Sequence, residues 1–225
     1  MIEFNKGIEL DATTDLKEKW YGLNSTKKCG CMTWLYKKYG RPLTVQEFYD
    51  SYINDIQSSE MDSRTFGRTQ EQLLKIAIEL MTKDNGRFEL KDYLSYIYKK
   101  LFYDTIIGCK KEKQIKEYIE SKGFETKEPS FEDDIKLGVD LFAFKDNELK
   151  CIIQSKPNTF FLGNSNKSLI NDRKKALSKQ DKAKDKYGVP TYYIIYNKNT
   201  GEFIKNDIGT LAFRLTDLIN QDGTT

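Results

Sequence analysis

The sequence predicts an α/β protein in two parts: a mainly helical region over residues 1–104, then a mixed-sheet core over 105–225 in the order helix, strand, hairpin, helix, strand. Two observations carry this. Apolar residues recur at helical spacing through the first hundred positions, whereas the second half carries short runs of Val, Phe, Ile and Tyr split by polar turns. With 225 residues, 38% of them hydrophobic and 32% charged, the chain is long enough to bury a core and too polar for a membrane protein. No apolar run approaches a membrane span, and Met-Ile-Glu-Phe-Asn-Lys lacks the apolar stretch of a signal peptide, so a cytoplasmic protein is expected.

In the N-terminal region, Lys27–Tyr39 carries Trp34, Leu35 and Tyr39 and stops at Gly40-Arg41-Pro42. Thr44 followed three residues later by Glu47 is a capping box, opening a helix through Phe48, Tyr52, Ile53 and Ile56, with a polar loop over 58–64. Thr69–Met81 places Leu73, Leu74, Ile76, Ala77, Ile78 and Leu80 in a helix with little room for a wide polar face. Leu90–Phe102 is a third amphipathic helix, and the register changes at Gly108. Such a helical series could read DNA, cap the core or build a dimer.

Beyond Gly108, Lys110–Ser121 reads as a helix, Phe124–Lys127 as a strand and Pro129–Lys136 as a connecting segment. Residues 138–156 form the centre: Gly-Val-Asp-Leu-Phe-Ala-Phe, a polar turn, then Leu-Lys-Cys-Ile-Ile-Gln-Ser-Lys. If the hairpin closes at Asp146-Asn147, opposed positions have numbers summing to roughly 293–295, which sets Asp140 across from Gln154 or its neighbour. Gln154 and Lys156 then share one face while Ser155 points to the other. A loop with Phe160 and Phe161 follows, then a helix over 168–187, a strand over 191–196, a further strand at Glu202-Phe-Ile and a short helix over 215–220.

The composition excludes several chemistries. There is no histidine, so His-dependent nucleases, Ser-His-Asp and Cys-His hydrolases and His-ligated zinc are ruled out. Cys29, Cys31, Cys109 and Cys151 lack the paired spacing of a structural zinc site. A net charge of +3 says little about a partner, but residues 165–186 hold eight basic side chains against three acidic ones. A basic face there suits phosphates, with Lys167, Arg173, Lys174 and Lys175 as candidate contacts and Ser165 and Asn166 as loop donors. Its bland reading is a solvated helix laced by ion pairs with its lysines, some supplied by Asp181 with Lys184 or by Asp185.

An Asp, a hairpin, then Gln-x-Lys resembles the signature of the PD-(D/E)xK nuclease superfamily, the restriction-endonuclease-like fold. Val139-Asp140 stands where the family has Pro-Asp, and Gln154 where it usually has a second acid. The likeness covers roughly residues 105–205 and extends to the αβββαβ order. It implies a metal-dependent endodeoxyribonuclease, of the type II restriction kind, cleaving double-stranded DNA as a homodimer with Mg²⁺, or Mn²⁺ in its place. Asp140, the Gln154 side chain, the Ser155 main-chain carbonyl and Glu112 would bind the metal, Asp133 and Asp134 standing in reserve, and Lys156 would orient the attacking water. The alternatives are a non-catalytic DNA- or protein-binding member, and a nicking or junction-resolving nuclease.

Overall fold

The computed structural model describes residues 5–13, 15–23, 29, 32–54, 70–160, 167–197, 200–205 and 211–213. The loop over 58–64, the terminal helix over 215–220, Cys31, Ile56, Phe161, Ser165 and Asn166 lie outside that set. Two compact units divide the chain, residues 1–110 and 111–225.

The first unit is helical: α1 (Asn5–Thr13), α2 (Leu16–Tyr21), α3 (Met32–Lys37), α4 (Val45–Asn54), α5 (Gln70–Lys83) and α6 (Leu90–Tyr98). The capping box forms as expected. Thr44 N–H donates to Glu47 Oε2 at 2.8 Å, and Glu47 N–H donates to Thr44 Oγ1 at 3.2 Å. Helix α4 thereby presents Phe48, Tyr49 and Tyr52 to Phe102, whose ring meets all three edge-on with centroids 5.2–5.5 Å apart. In α5, Leu73, Ile76, Ala77 and Leu80 are buried while Leu74 and Ile78 are exposed, so the apolar stripe is wider than the face that packs.

Helix α6 does not end near Phe102. It widens into a π turn over Lys99–Tyr103 and continues as α7 (Asp104–Ser121), so the expected change at Gly108 falls inside a helix. A π turn shifts successive side chains toward the same side. Lys99 and Lys100 both turn inward onto Asp11, with Nζ–Oδ distances of 2.5 and 2.6 Å, and Asp104 completes the cluster.

The second unit is a five-stranded mixed sheet with helices on both faces. Its strands, β1 (Glu125–Lys127), β2 (Leu141–Lys145), β3 (Glu148–Pro157), β4 (Thr191–Tyr196) and β5 (Ala212–Phe213), lie in sequence order. All neighbours are antiparallel except β3 and β4, which run parallel and are joined across α9 (Lys167–Tyr187). The segment read as a connection after Pro129 is α8 (Phe131–Leu137). Ser130 caps it by accepting from Asp133 N–H at 3.1 Å, and Gly138 ends it with φ +66°. The strand expected at Glu202-Phe-Ile is reduced to one bridge, Tyr196 with Phe203.

The hairpin turns at Asp146 and Asn147, with φ of 54° and 61°, the left-handed pair that a two-residue turn requires. Opposed numbers sum to 293 beside the turn (Phe144 with Leu149) and to 294 beyond it (Ala143 with Cys151), because Lys150 is left over as a bulge. That extra residue puts Leu149 on the same face as Ile152.

Each face has its own core. Ile115 of α7 packs with Leu141, Ile153 and Ile194. On the other face Ala183 of α9 meets Phe142 and Ile152, and Ala176 meets Tyr193 and Ile195. Thr191 lies in line with Tyr193 and Ile195, buried, and its hydroxyl has no hydrogen-bond partner among the described residues. Thr191→Val keeps the shape and removes a desolvated hydroxyl. It is expected to leave stability unchanged or raise it by up to about 1 kcal/mol in urea unfolding; a loss larger than that would show that the hydroxyl is satisfied.

Candidate functional site

Strand pairing brings the signature residues together at the end of β2. Ile153 is opposite Leu141, the last pair of the ladder, and the Asp140 N–H donates to the Ile153 carbonyl at 3.1 Å, so Asp140 lies just past that pair, level with Ile153 and Gln154. The Asp140 carboxylate is fixed at one oxygen: Oδ2 accepts the Ser155 N–H at 2.6 Å, a short charge-assisted bond. Its Oδ1 has no partner among the described residues. By strand alternation Asp140, Gln154 and Lys156 belong to the face covered by α9, with Phe142 and Ile152.

Gln154 is 1% exposed and is not a free edge residue. Its Nε2 donates a long hydrogen bond, 3.4 Å, to the Leu137 carbonyl at the end of α8. A helix leaves its last carbonyls without internal donors, and this amide supplies one. A carboxylate could not do so. The amide holds the end of α8 with its nitrogen and leaves its oxygen without a hydrogen bond among the described residues.

Gly138 makes that contact possible. Its φ of +66° suits glycine, and a Cβ there would stand 3.2 Å from Gln154 Nε2 and 3.3 Å from Lys179 Cδ. Lys179 thus enters the site from α9. Tyr193 enters from β4, in register with Gln154. Burial, with the nearby charges of Asp140 and Asp181, holds the Tyr193 phenol protonated far above its ordinary range. Neither residue was singled out from the sequence. The signals were present: Ala176, Lys179, Ala183 and Lys186 share a helical stripe, and a tyrosine inside an apolar strand brings a polar group into the core.

The remaining expected residues fare differently. Glu112 lies in α7, the layer packed on the opposite face of the sheet, and no described hydrogen bond or ion pair joins it to Asp140, Gln154 or Lys156. Asp133 does not stand in reserve as a ligand. Its Oδ2 accepts from Ser130 Oγ at 2.8 Å and its Oδ1 from Lys186 Nζ at 2.7 Å, so both oxygens are taken. Arg173 is half-buried and donates from Nε to the Phe160 carbonyl at 2.9 Å, tying the start of the 160s loop to α9. Lys174 and Lys175 are exposed; Asn166 and the Lys167 side chain are outside the described residues. Among the described residues Asp181 and Asp185 form no ion pairs with their helix neighbours, although Lys174, Lys175, Lys182, Lys184 and Lys186 of α9 are exposed.

Comparison with protein-family models, with curated proteins and with solved structures found no match. The chemistry must be read from the residues themselves.

Among the described residues no three Asp, Glu or Cys groups gather where a metal could sit. The open oxygens are Asp140 Oδ1 and Gln154 Oε1. One carboxylate and one amide oxygen make a weak cage, but Mg²⁺ usually keeps several waters and takes one or two carboxylates together with substrate phosphate. The donor set fits an ion that is completed by its substrate, and fits no tightly held structural metal.

The Asp133–Lys186 tie between α8 and α9 has a pH signature. Burial pushes the Asp133 carboxyl up, but the hydrogen bonds from Lys186, Ser130 and Tyr187 outweigh it and hold the group below its ordinary value. A depressed carboxyl contributes stability above its unfolded pKa and loses it as pH falls through the folded one. Asp133→Asn is expected to flatten the acid side of the stability–pH curve measured by chemical denaturation; an unchanged acid limb would remove Asp133 from the account.

Proposed function

We propose that residues 111–225 form a restriction-endonuclease-like catalytic unit, and that the protein is a metal-dependent endodeoxyribonuclease acting on double-stranded DNA. The observation that carries the reading is the placement of Asp140 at the end of the β2–β3 ladder, its carboxylate braced by the N–H of Ser155, the residue after Gln154. The helix, strand, hairpin, helix, strand order, with β3 and β4 parallel across α9, is the order this fold uses.

Asp140 Oδ1, Gln154 Oε1 and the Ser155 carbonyl would hold Mg²⁺ or Mn²⁺; Glu112, in the helix layer on the other face of the sheet, is left out of the proposed set. The ion would supply charge neutralisation on the phosphoryl oxygens and a water of lowered pKa. The chain's own residues position and screen. Asp140 fixes the site against the β3 backbone, Lys156 places a positive charge on the same face to oppose charge building on the phosphate, and the buried Tyr193 closes its floor. Cleavage of both strands would take two such sites, hence a homodimer.

The small number of acids favours one other reading, a DNA-binding unit of the same architecture without catalysis. Incubating plasmid DNA with the protein over a range of Mg²⁺ and Mn²⁺ separates the two. Wild-type protein should nick or cut. Asp140→Ala should abolish this, by at least about a hundredfold if it removes the main ligand. Full activity of Asp140→Ala would sink the nuclease proposal.

Gln154→Glu tests the double role of the amide. Added negative charge should lower the Mg²⁺ requirement, while loss of the donor to Leu137 should destabilise the fold by about 1–3 kcal/mol. Metal titration and thermal unfolding read the two effects separately; a variant as stable as wild type would show that the bond to Leu137 contributes nothing.

A further inference from the structure

The α9 face of the second unit holds two lysines in very different circumstances. Lys186 gives its ammonium to Asp133, at the first turn of α8. Lys179 lies seven residues earlier, on the same helical stripe, and reaches the other end of α8, where its stem crosses the bare Gly138 backbone. It is half-buried, and among the described residues it makes no ion pair or hydrogen bond. The same holds for Lys156. The charges that act on Lys179 are those of Lys156 and Lys175, which repel it, and of Asp134 and Asp140, which attract it.

Leaving a partly desolvated ammonium beside another, without a committed carboxylate, costs stability. Several features nevertheless hold it there. The left-handed Gly138 leaves the space its stem occupies, Gln154 fixes the end of α8, and the Lys186–Asp133 pair anchors the helix from which it projects. Two uncommitted ammonium groups beside one braced carboxylate are complementary to an anion that arrives from outside.

We infer that Lys179 is a phosphate-binding residue of this site, forming with Lys156 a two-lysine clamp on a backbone phosphate of DNA, one from the helix and one from the strand. The inference rests on the proposed nuclease reading and adds to it a residue outside the Asp-Gln-x-Lys signature. A clamp supplied by the protein offsets the weak metal cage: the two cations hold the phosphate, and the phosphate in turn completes the shell of the ion. Binding of duplex should therefore persist in the absence of divalent metal.

The test is the salt dependence of binding to a short blunt duplex in EDTA, for wild type, Lys179→Met and Lys113→Met. Lys113 is an exposed lysine of α7 and controls for loss of one charge. Each phosphate contact adds about one unit to the slope of log K against log salt, so Lys179→Met should lower the slope by about one and Lys113→Met should not. Equal slopes for wild type and Lys179→Met, or equal changes in both variants, would overturn the clamp. Acetylation of wild-type lysines with and without duplex, read by mass spectrometry, gives the same answer without a variant. Lys179 should be protected by DNA, and equal labelling would overturn the proposal. A lowered slope in a protein that never cleaves DNA would sink the nuclease reading and keep the clamp; cleavage with an unchanged slope would sink the clamp alone. Absence of any DNA binding by wild type would remove both.

Discussion

The second unit depends on one leftover residue in a hairpin. Asp146 and Asn147 set a tight turn, and a regular ladder running from that turn would oppose Asp140 with Ile153, a residue committed to the α7 face. The bulge at Lys150 advances β3 by one position, so Leu141 meets Ile153 and the Asp140 side chain, just past that pair, reaches the Ser155 N–H. The same advance brings Leu149 onto the α9 face, where it packs with Phe144 and Phe142. A single unpaired residue thus reconciles the turn, both cores and the polar cluster.

Around that register the polar groups serve the backbone. Gln154 holds the end of α8, Asp133 holds its beginning to α9, and Asp140 holds β3. What each of Asp140 and Gln154 has to spare is one oxygen. A glutamate in place of Gln154 would offer more to a cation and nothing to Leu137, so the end of α8 calls for the amide. The first unit shows another settlement of charge: its inward lysines, Lys99 and Lys100, are matched by Asp11 and Asp104 and leave nothing over.

Much of this was legible in the residues. The Thr44 and Glu47 pair fixed a helix start, and Asp146-Asn147 located the turn to within one residue of register, enough to place Asp140 near Gln154. Helix α8 was also written in the chain, with Ser130 three residues before Asp133 and Gly138 as its stop, but its seven residues carry too little apolar periodicity to stand out. The bulge left no mark, since Lys150 is an ordinary strand-surface residue and its displacement is decided by how Leu149 and Ile152 pack. Lys179 was hidden among eight basic side chains of one segment; composition counts them alike, and only the packing of α9 on α8 separates it from the rest. The π turn at Lys99–Tyr103 was equally invisible, because its driving contacts with Asp11 come from a helix far away in sequence.

The parallel pairing of β3 with β4 bears on how the unit assembles. The hairpin of β2 and β3 closes over two residues and can form early, bringing Asp140 to Gln154 through local contacts. Tyr193 and Lys179 arrive only when the whole of α9 has formed and crossed back over the sheet, a long loop closure with its own entropic barrier. Half of the site is therefore built with the hairpin and half at the end of folding. A chain caught between those stages would leave β3 as an open sheet edge and the Asp140 face without the helix that later covers it.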